Sequence, residues 1–255
     1  MTKNILITGA ASGIGRETAL FFAKNGWFVG AVDLNGQGLE NLEKVIGRDQ
    51  CHTHSMDVTD PESVQEAINS FAERTGGKMD VLFNNAGILK FGRFEKVDLA
   101  HSLAIVDVNL KGVIACTHSS LYLLKNTPGS RVVNMASTSA VYGIPDLSVY
   151  SATKRAVLAL TEALDIELEP YGISVCDVLA PYVNTPLLET DQKVHSINKM
   201  GIKLAPIDVA KTVWKAAHKK KLHWKMGGST HALVALFNLL PGVRRPIVKS
   251  LTIST

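Results

Sequence analysis

The stretch Thr8-Gly9-Ala10-Ala11-Ser12-Gly13-Ile14-Gly15 decides the reading of this chain. It follows an apolar run, Ile5-Leu6-Ile7, and opens a pattern with helical spacing at Ile14, Ala19, Leu20, Phe22 and Ala23. A strand, a glycine turn and a helix in that order put free backbone N–H groups and the positive end of a helix dipole at one point, where a pyrophosphate can sit. Gly9, Ser12, Gly13, Ile14 and Gly15 are therefore candidate dinucleotide contacts. A second short run, Phe28 to Val32, is closed by Asp33, 18 positions after Gly15. A carboxylate there can accept hydrogen bonds from both adenosine ribose hydroxyls and would repel a 2′-phosphate. No Lys or Arg lies in the loop before Gly15. The expectation is NAD, with NADP as the alternative that Arg16 keeps open. The competing use of Asp33 is as a cap for the next helix.

Working outward, short β-rich runs alternate with longer helical patterns. Strands are expected at Cys51–Met56, Val81–Phe83, Arg131–Met135 and Ile173–Leu179, and helices over Pro61–Arg74, Leu99–Lys125 and Tyr150–Glu169. Asp60-Pro61-Glu62 reads as an N-cap, a first-turn Pro and an early acid. Short continuous apolar strands joined by helices make right-handed βαβ units in a sheet buried on both faces, an α/β doubly wound domain. Ligands bind such a domain beyond the C-terminal strand ends.

The chain has 255 residues, 46% of them hydrophobic and 20% charged, which suits one globular core and excludes a disordered or collagenous chain. Three dispersed cysteines, Cys51, Cys116 and Cys176, exclude a disulfide scaffold and a Cys-rich zinc module, and point to a reducing, cytoplasmic setting. Cys51-His52-Thr53-His54 reads as an edge strand, with no metal site expected. The N-terminus lacks a long apolar signal region, and no run reaches the length of a membrane span. Charge is uneven. Residues 201–255 carry ten Lys/Arg against one acid, Asp208, whereas residues 1–200 carry 17 against 22. That suggests a local anionic partner rather than a nucleic-acid-binding protein.

Tyr150 and Lys154 stand four apart in a helical pattern, so phenol and ammonium share one face. A free tyrosine is too weak a base near neutrality; the nearby ammonium, together with the positive charge of an oxidised nicotinamide, is expected to lower its pKa and fit it for acid–base exchange with an alcohol or carbonyl. Ser137, after the fifth strand, can polarise a substrate oxygen; Thr138 and Ser139 are its neighbouring competitors.

Together, T-G-x-x-x-G-x-G at 8–15, N-N-A-G at 84–87 and Y-x-x-x-K at 150–154 resemble the short-chain dehydrogenase/reductase family over about residues 4–186. The resemblance implies a Rossmann-type, mostly parallel sheet of about seven strands in a single NAD(P)-binding domain. It implies that Asp57 and Val58 hold the adenine ring, and that Asn85, Ala86 and Gly87 flank the adenosine side. Asn109 would complete a catalytic set with Ser137, Tyr150 and Lys154, acting through a helix distortion. Tyr150 would exchange the proton, and Lys154 would also hold the nicotinamide ribose. Thr185, in the segment with Pro181 and Val183, would bond the carboxamide. Tyr182 stands where the family commonly has Gly. The implied activity is oxidoreduction of an alcohol or ketone, read here as a lipophilic secondary one. Rival readings are an NADP-dependent carbonyl reductase and a non-catalytic dinucleotide sensor or scaffold, the latter disfavoured by the intact set. A homodimer or homotetramer through the 150–169 helix is implied.

A lid is expected at about 187–205, and a basic, apolar extension at about 229–255. In that extension His231–Leu240 is a helix-like apolar run bracketed by Lys211, Lys215, Lys219 to Lys221, Lys225, Arg244, Arg245 and Lys249. It is too short to cross a bilayer, and could rest on an anionic membrane surface, roof the substrate pocket or dock on another subunit.

Overall fold

A computed structural model describes residues 2–188 and 204–252 of the chain. Seven strands, β1 (Asn4–Thr8), β2 (Phe28–Asp33), β3 (Cys51–Ser55), β4 (Val81–Asn84), β5 (Arg131–Ser137), β6 (Ser174–Ala180) and β7 (His223–Lys225), form one sheet in the order β3-β2-β1-β4-β5-β6-β7. Every pairing is parallel. The order reverses between β1 and β4, which places the ligand crevice beyond their C-terminal ends.

Alternation along β1 divides the core. Ile5 and Ile7 face one layer with Phe22, Leu39, Val209 and Val213; Leu6 faces the other with Ile68, Phe71, Leu123 and Leu168. Helices α1 (Gly13–Lys24), α2 (Gly36–Ile46) and the helix Pro206–His218 cover the first face. Helices α3 (Pro61–Thr75), α5 (Gly112–Lys125) and α6 (Ser148–Leu168) cover the second. β1 is buried throughout, as a strand covered on both faces must be.

The caps follow the expected chemistry. Asp60 accepts from the N–H of Glu62 at 3.0 Å, ahead of Pro61. Asn35, rather than Asp33, caps α2, accepting from Gly38 N–H at 3.0 Å. β3 is an edge strand, as its polar sequence suggests, and no metal-holding cluster of His, Cys, Asp or Glu occurs among the described residues.

Helix α4 (Leu99–Val106) runs through a π-helical turn, Asp107–Lys111, directly into α5. This 27-residue segment has the length and apolar composition to cross a membrane, which no uninterrupted apolar run in the sequence suggests. Here it is a flanking helix whose Ile105, Val113, Cys116, Leu123 and Leu124 are buried in the core.

Of the lid expected at 187–205, only Leu187, Leu188, Leu204 and Ala205 fall among the described residues; Leu204 pairs with Val183 in an isolated parallel bridge. The C-terminal extension is helical over Gly228–Leu239 and Arg244–Thr252, joined by a 3-10 turn at Pro241–Val243.

Candidate active site

The C-terminal strand ends converge on a cleft of about 350 Å³. Its walls come in chain order from the loop after β1 (Gly9, Ser12, Gly13, Ile14), the end of β2 (Asp33), the loop after β3 (Asp57, Val58) and the loop after β4 (Asn85 to Leu89). β5 and the segments beyond it supply Ser137, Tyr150 and Lys154, and the loop after β6 supplies Pro181, Val183 and Thr185. Of the residues singled out by sequence, Gly15 and Asn109 stand just behind this wall.

The glycine turn is shaped by contacts as well as by conformation. Gly13 sits at φ +51°, a left-handed conformation that other residues adopt at a cost, and a Cβ there would touch Thr185 at 3.4 Å. A Cβ on Gly15 would overlap the carbonyl oxygen of Gly9 and stand 2.7 Å from Asn85 Nδ2. Only glycine lets α1 start this close to β1. Ser12 precedes α1 without capping it through its side chain, so the first helical N–H groups are left for the cleft.

Asp33 is fixed from two sides. Its Oδ2 accepts from Ala11 N–H at 3.0 Å and its Oδ1 from Asn35 N–H at 2.9 Å. The carboxylate thus ties the glycine turn to the end of β2, with its remaining lone pairs at the cleft wall. Asp57 is held by the Thr59 N–H and hydroxyl at 2.8 and 2.7 Å. Val58 packs against Gly112, where a Cβ would stand 2.8 Å from the valine side chain.

Asn85 acts as a clasp between β4 and β1. Its Nδ2 donates to the carbonyls of Thr8 and Gly9 at 2.9 and 3.1 Å, while Thr8 Oγ1 accepts from the N–H groups of Asn85 and Ala86 at 3.0 and 2.9 Å. Asn84 anchors deeper, donating to Thr117 and Asn134 at 2.9 Å each.

Asn109 lies in the π-helical turn and is fully buried. Its Oδ1 accepts from Ile88 N–H at 2.8 Å and its Nδ2 donates to Ile88 O at 2.9 Å. This two-way bond pins the loop after β4. A Cβ at Gly87 would lie 3.2 Å from Asn109 Oδ1 and 3.7 Å from Lys154 Nζ, so this glycine makes the space in which the two approach.

Tyr150 and Lys154 project from the first turns of α6, as their spacing predicts. Lys154 is buried; its Nζ donates to Met135 O at 2.8 Å and lies 5.7 Å from the centre of the Tyr150 ring. Electrostatics differ from the sequence expectation. Burial pushes the Tyr150 phenol up to about 12, and a hydrogen bond from the Ser137 hydroxyl pulls against that rise. Burial also draws the Lys154 ammonium down to about 8. Desolvation disfavours the charged form of both groups and is the largest cause of each shift. The group that bonds the phenol is Ser137, which also accepts from Ser139 N–H at 3.2 Å. That second bond orients the serine, and it favours Ser137 over Thr138 and Ser139.

Arg155 escaped the sequence reading, and Tyr182, noted there only as a replacement for Gly, has a packing role that the reading did not give. Arg155, the neighbour of Lys154, donates from Nη1 to the carbonyls of Ala140 and Val141 at 2.9 and 3.5 Å, holding the loop that follows Ser137. Tyr182 packs with Phe91, Leu147, Ile144, Leu89 and Leu188 around Tyr150, closing one end of the cleft with apolar surface.

Comparison with known proteins agrees with this geometry. The profile of the short chain dehydrogenases matches residues 3–195. Cyclohexanol dehydrogenase of an Acinetobacter species is 33% identical over 222 residues, 83% of this chain and 86% of that enzyme. A 3-oxoacyl-[acyl-carrier-protein] reductase of Thermotoga maritima is 35% identical over 190 residues, 73% of this chain and 76% of that one. Among solved structures, a 3-ketoacyl-(acyl-carrier-protein) reductase from Brucella melitensis complexed with NADH superposes with a TM-score of 0.81 at 33% identity, over 89% of this chain and 98% of that chain. An alcohol dehydrogenase from Thermococcus sibiricus complexed with 5-hydroxy-NADP gives 0.78 at 26% identity, over 89% and 96%.

Proposed function

The chain belongs to the short-chain dehydrogenase family, an NAD(P)-dependent oxidoreductase acting on CH–OH groups, and we propose that it interconverts a lipophilic secondary alcohol and its ketone with NAD. The observation that carries this reading is the position of the Tyr150–Ser137 pair. It sits where the glycine-turn cleft meets an apolar end lined by Leu89, Ile144, Leu147, Tyr182, Leu187 and Leu188. A carbon–oxygen centre placed on the two hydroxyls has its remaining substituents among hydrocarbon side chains. The name of the cyclohexanol dehydrogenase relative is consistent with such a substrate.

The residues present suit a dinucleotide. The uncapped helix start would hold the pyrophosphate, Asp33 the adenosine ribose, Asp57 and Val58 the adenine, Lys154 the nicotinamide ribose, and Thr185 the carboxamide. The nicotinamide supplies the hydride acceptor in oxidation and the donor in reduction. Ser137 donates to the substrate oxygen and fixes its position. Tyr150 takes the alcohol proton in oxidation and returns it in reduction. Lys154 and Asn109 position the phenol and the adjoining loop. Exposed Leu99, Leu103, Ile114 and Ile166 on α4, α5 and α6 give the surface through which we expect a homodimer or homotetramer.

The test is Tyr150→Phe. It should bind reduced cofactor like the parent, read by nicotinamide fluorescence, and lose about 100- to 10,000-fold in turnover. Retained turnover on a ketone and alcohol panel would overturn the assignment.

A further inference from the structure

The C-terminal extension ends in a helical hairpin whose inside and outside differ sharply. Inside, Phe237, Val248 and Thr252 are buried, and Phe237 meets the Tyr142 ring edge-on at 6.2 Å. Arg244 Nε donates to Phe237 O at 2.8 Å and locks the second helix to the first. Thr138 and Ile144 touch this hairpin on one side and line the active cleft on the other. The hairpin is thus fastened beside the substrate end of the cleft.

Outside, the tip is apolar. Leu239 is 79% exposed, the most of any large hydrophobic side chain among the described residues, and Leu240 is 54% exposed. Pro241 and Gly242 complete the exposed turn. The next residues are Arg244 and Arg245, and Lys249 follows one turn after Arg245 on the same exposed face. No acidic residue occurs anywhere after Asp208.

Topology sorts the basic residues. Lys219, Lys220 and Lys221 precede β7, and Arg131 at the start of β5 donates to Lys219 O at 2.9 Å, so that cluster lies at the N-terminal strand ends. It does not bracket the apolar helix as the linear sequence suggests. Arg244, Arg245 and Lys249 follow the leucines directly in the chain.

We propose that this tip docks on an anionic lipid surface, with Leu239 and Leu240 entering the acyl boundary and Arg244, Arg245 and Lys249 meeting headgroup phosphates. Adjacent apolar and cationic side chains without acids match a negatively charged bilayer surface. A second copy of the chain fits less well. Two-fold pairing would face this patch with itself, bringing like charges together with no carboxylate in the segment to neutralise them. The position beside the cleft would put the site where lipophilic molecules concentrate.

The test uses the full chain and co-sedimentation with vesicles of phosphatidylcholine alone or with about 30% phosphatidylglycerol. The parent should sediment with the anionic vesicles at low salt, and be released at about 0.5 M salt, where screening is nearly complete. Leu239→Ser/Leu240→Ser should lower partitioning at least about tenfold with thermal stability and turnover of a water-miscible alcohol unchanged. Arg245→Gln/Lys249→Gln should abolish the preference for anionic vesicles. Absence of parent binding at low salt overturns the proposal, as does undiminished binding of both variants. So does a leucine variant that changes only the oligomeric mass, which would make the tip a contact between copies. The readout is independent of the reaction proposed above.

Discussion

Asp33→Asn removes one charge from the cleft and separates two jobs of the same side chain. The carboxylate lies half-buried, its two oxygens already accepting from Ala11 and Asn35 N–H groups at 3.0 and 2.9 Å. A 2′-phosphate in place of a ribose hydroxyl brings about two negative charges to about 5 Å. At an effective dielectric of about 40 to 80, the repulsion is about 2–3 kcal/mol. Hydrogen bonds from ribose hydroxyls to a charged acceptor contribute about 1.5–3 kcal/mol to NAD binding. Asparagine abolishes the repulsion and weakens those bonds, so the NAD/NADP ratio of kcat/KM should fall by about 100- to 10,000-fold. An amide has one oxygen, so either Ala11 or Asn35 loses its acceptor. That costs about 1–3 kcal/mol and should lower Tm by several degrees. The assay is initial-rate kinetics with both cofactors on one alcohol, alongside a thermal melt. A ratio that moves by less than about threefold in an active, folded variant would refute the placement of Asp33 at the ribose.

Three further outcomes follow from the same geometry. Ser137→Ala removes the bond that pulls the Tyr150 phenol down, so the pH profile of alcohol oxidation should shift to higher pH, besides losing rate; an unmoved profile would deny Ser137 that influence. Asn109→Ala orphans both backbone groups of Ile88 and should destabilise by about 2–4 kcal/mol in chemical denaturation while raising the cofactor KM; a change under about 0.5 kcal/mol rejects its role as a staple. His223, bonded to buried Asp177 at 2.8 Å and facing Glu162 and Lys225, has its pKa held above the ordinary value by the Asp177 bond. The stability it contributes is full below about pH 6.5 and is lost as pH rises through the folded value, so the Tm advantage over His223→Gln should shrink on going alkaline, and a constant difference excludes the linkage.

The parts legible in sequence are those where local chemistry admits few answers. A glycine turn between an apolar run and a helix, a carboxylate closing the next strand, and a phenol four residues before an ammonium all landed on one cleft. Local residue types and spacing mark them as candidates without any tertiary contact. The asparagine in the π-helical turn was reached through the family resemblance alone; nothing in Val106-Asp107-Val108-Asn109 signals a widened turn. Clasps that depend on pairing between distant strands were hidden, because Asn85 and Thr8 become partners only through the β1–β4 register. Arg155 could have been suspected from its position beside Lys154, but its acceptors are carbonyls, which sequence cannot distinguish.

The largest departure concerns the Tyr150–Lys154 pair, and its cause is burial. Counting charges along a helix treats the ammonium as a cation in water lending its field to the phenol. In the fold both groups are withdrawn from water, and withdrawal penalises each charged form separately. The phenol rises to about 12 and the ammonium falls to about 8, so two groups with nearly equal ordinary values are driven apart. A Lys154 poised near 8 can gain or lose a proton near neutrality, whereas an ordinary surface lysine cannot. Met135 O accepts from Nζ at 2.8 Å and satisfies one N–H of the buried amine. The helix supplies the spacing, but burial against the C-terminal end of β5 sets the chemistry. Moving the same Tyr-x-x-x-Lys to an exposed helix would keep the motif and lose the tuning.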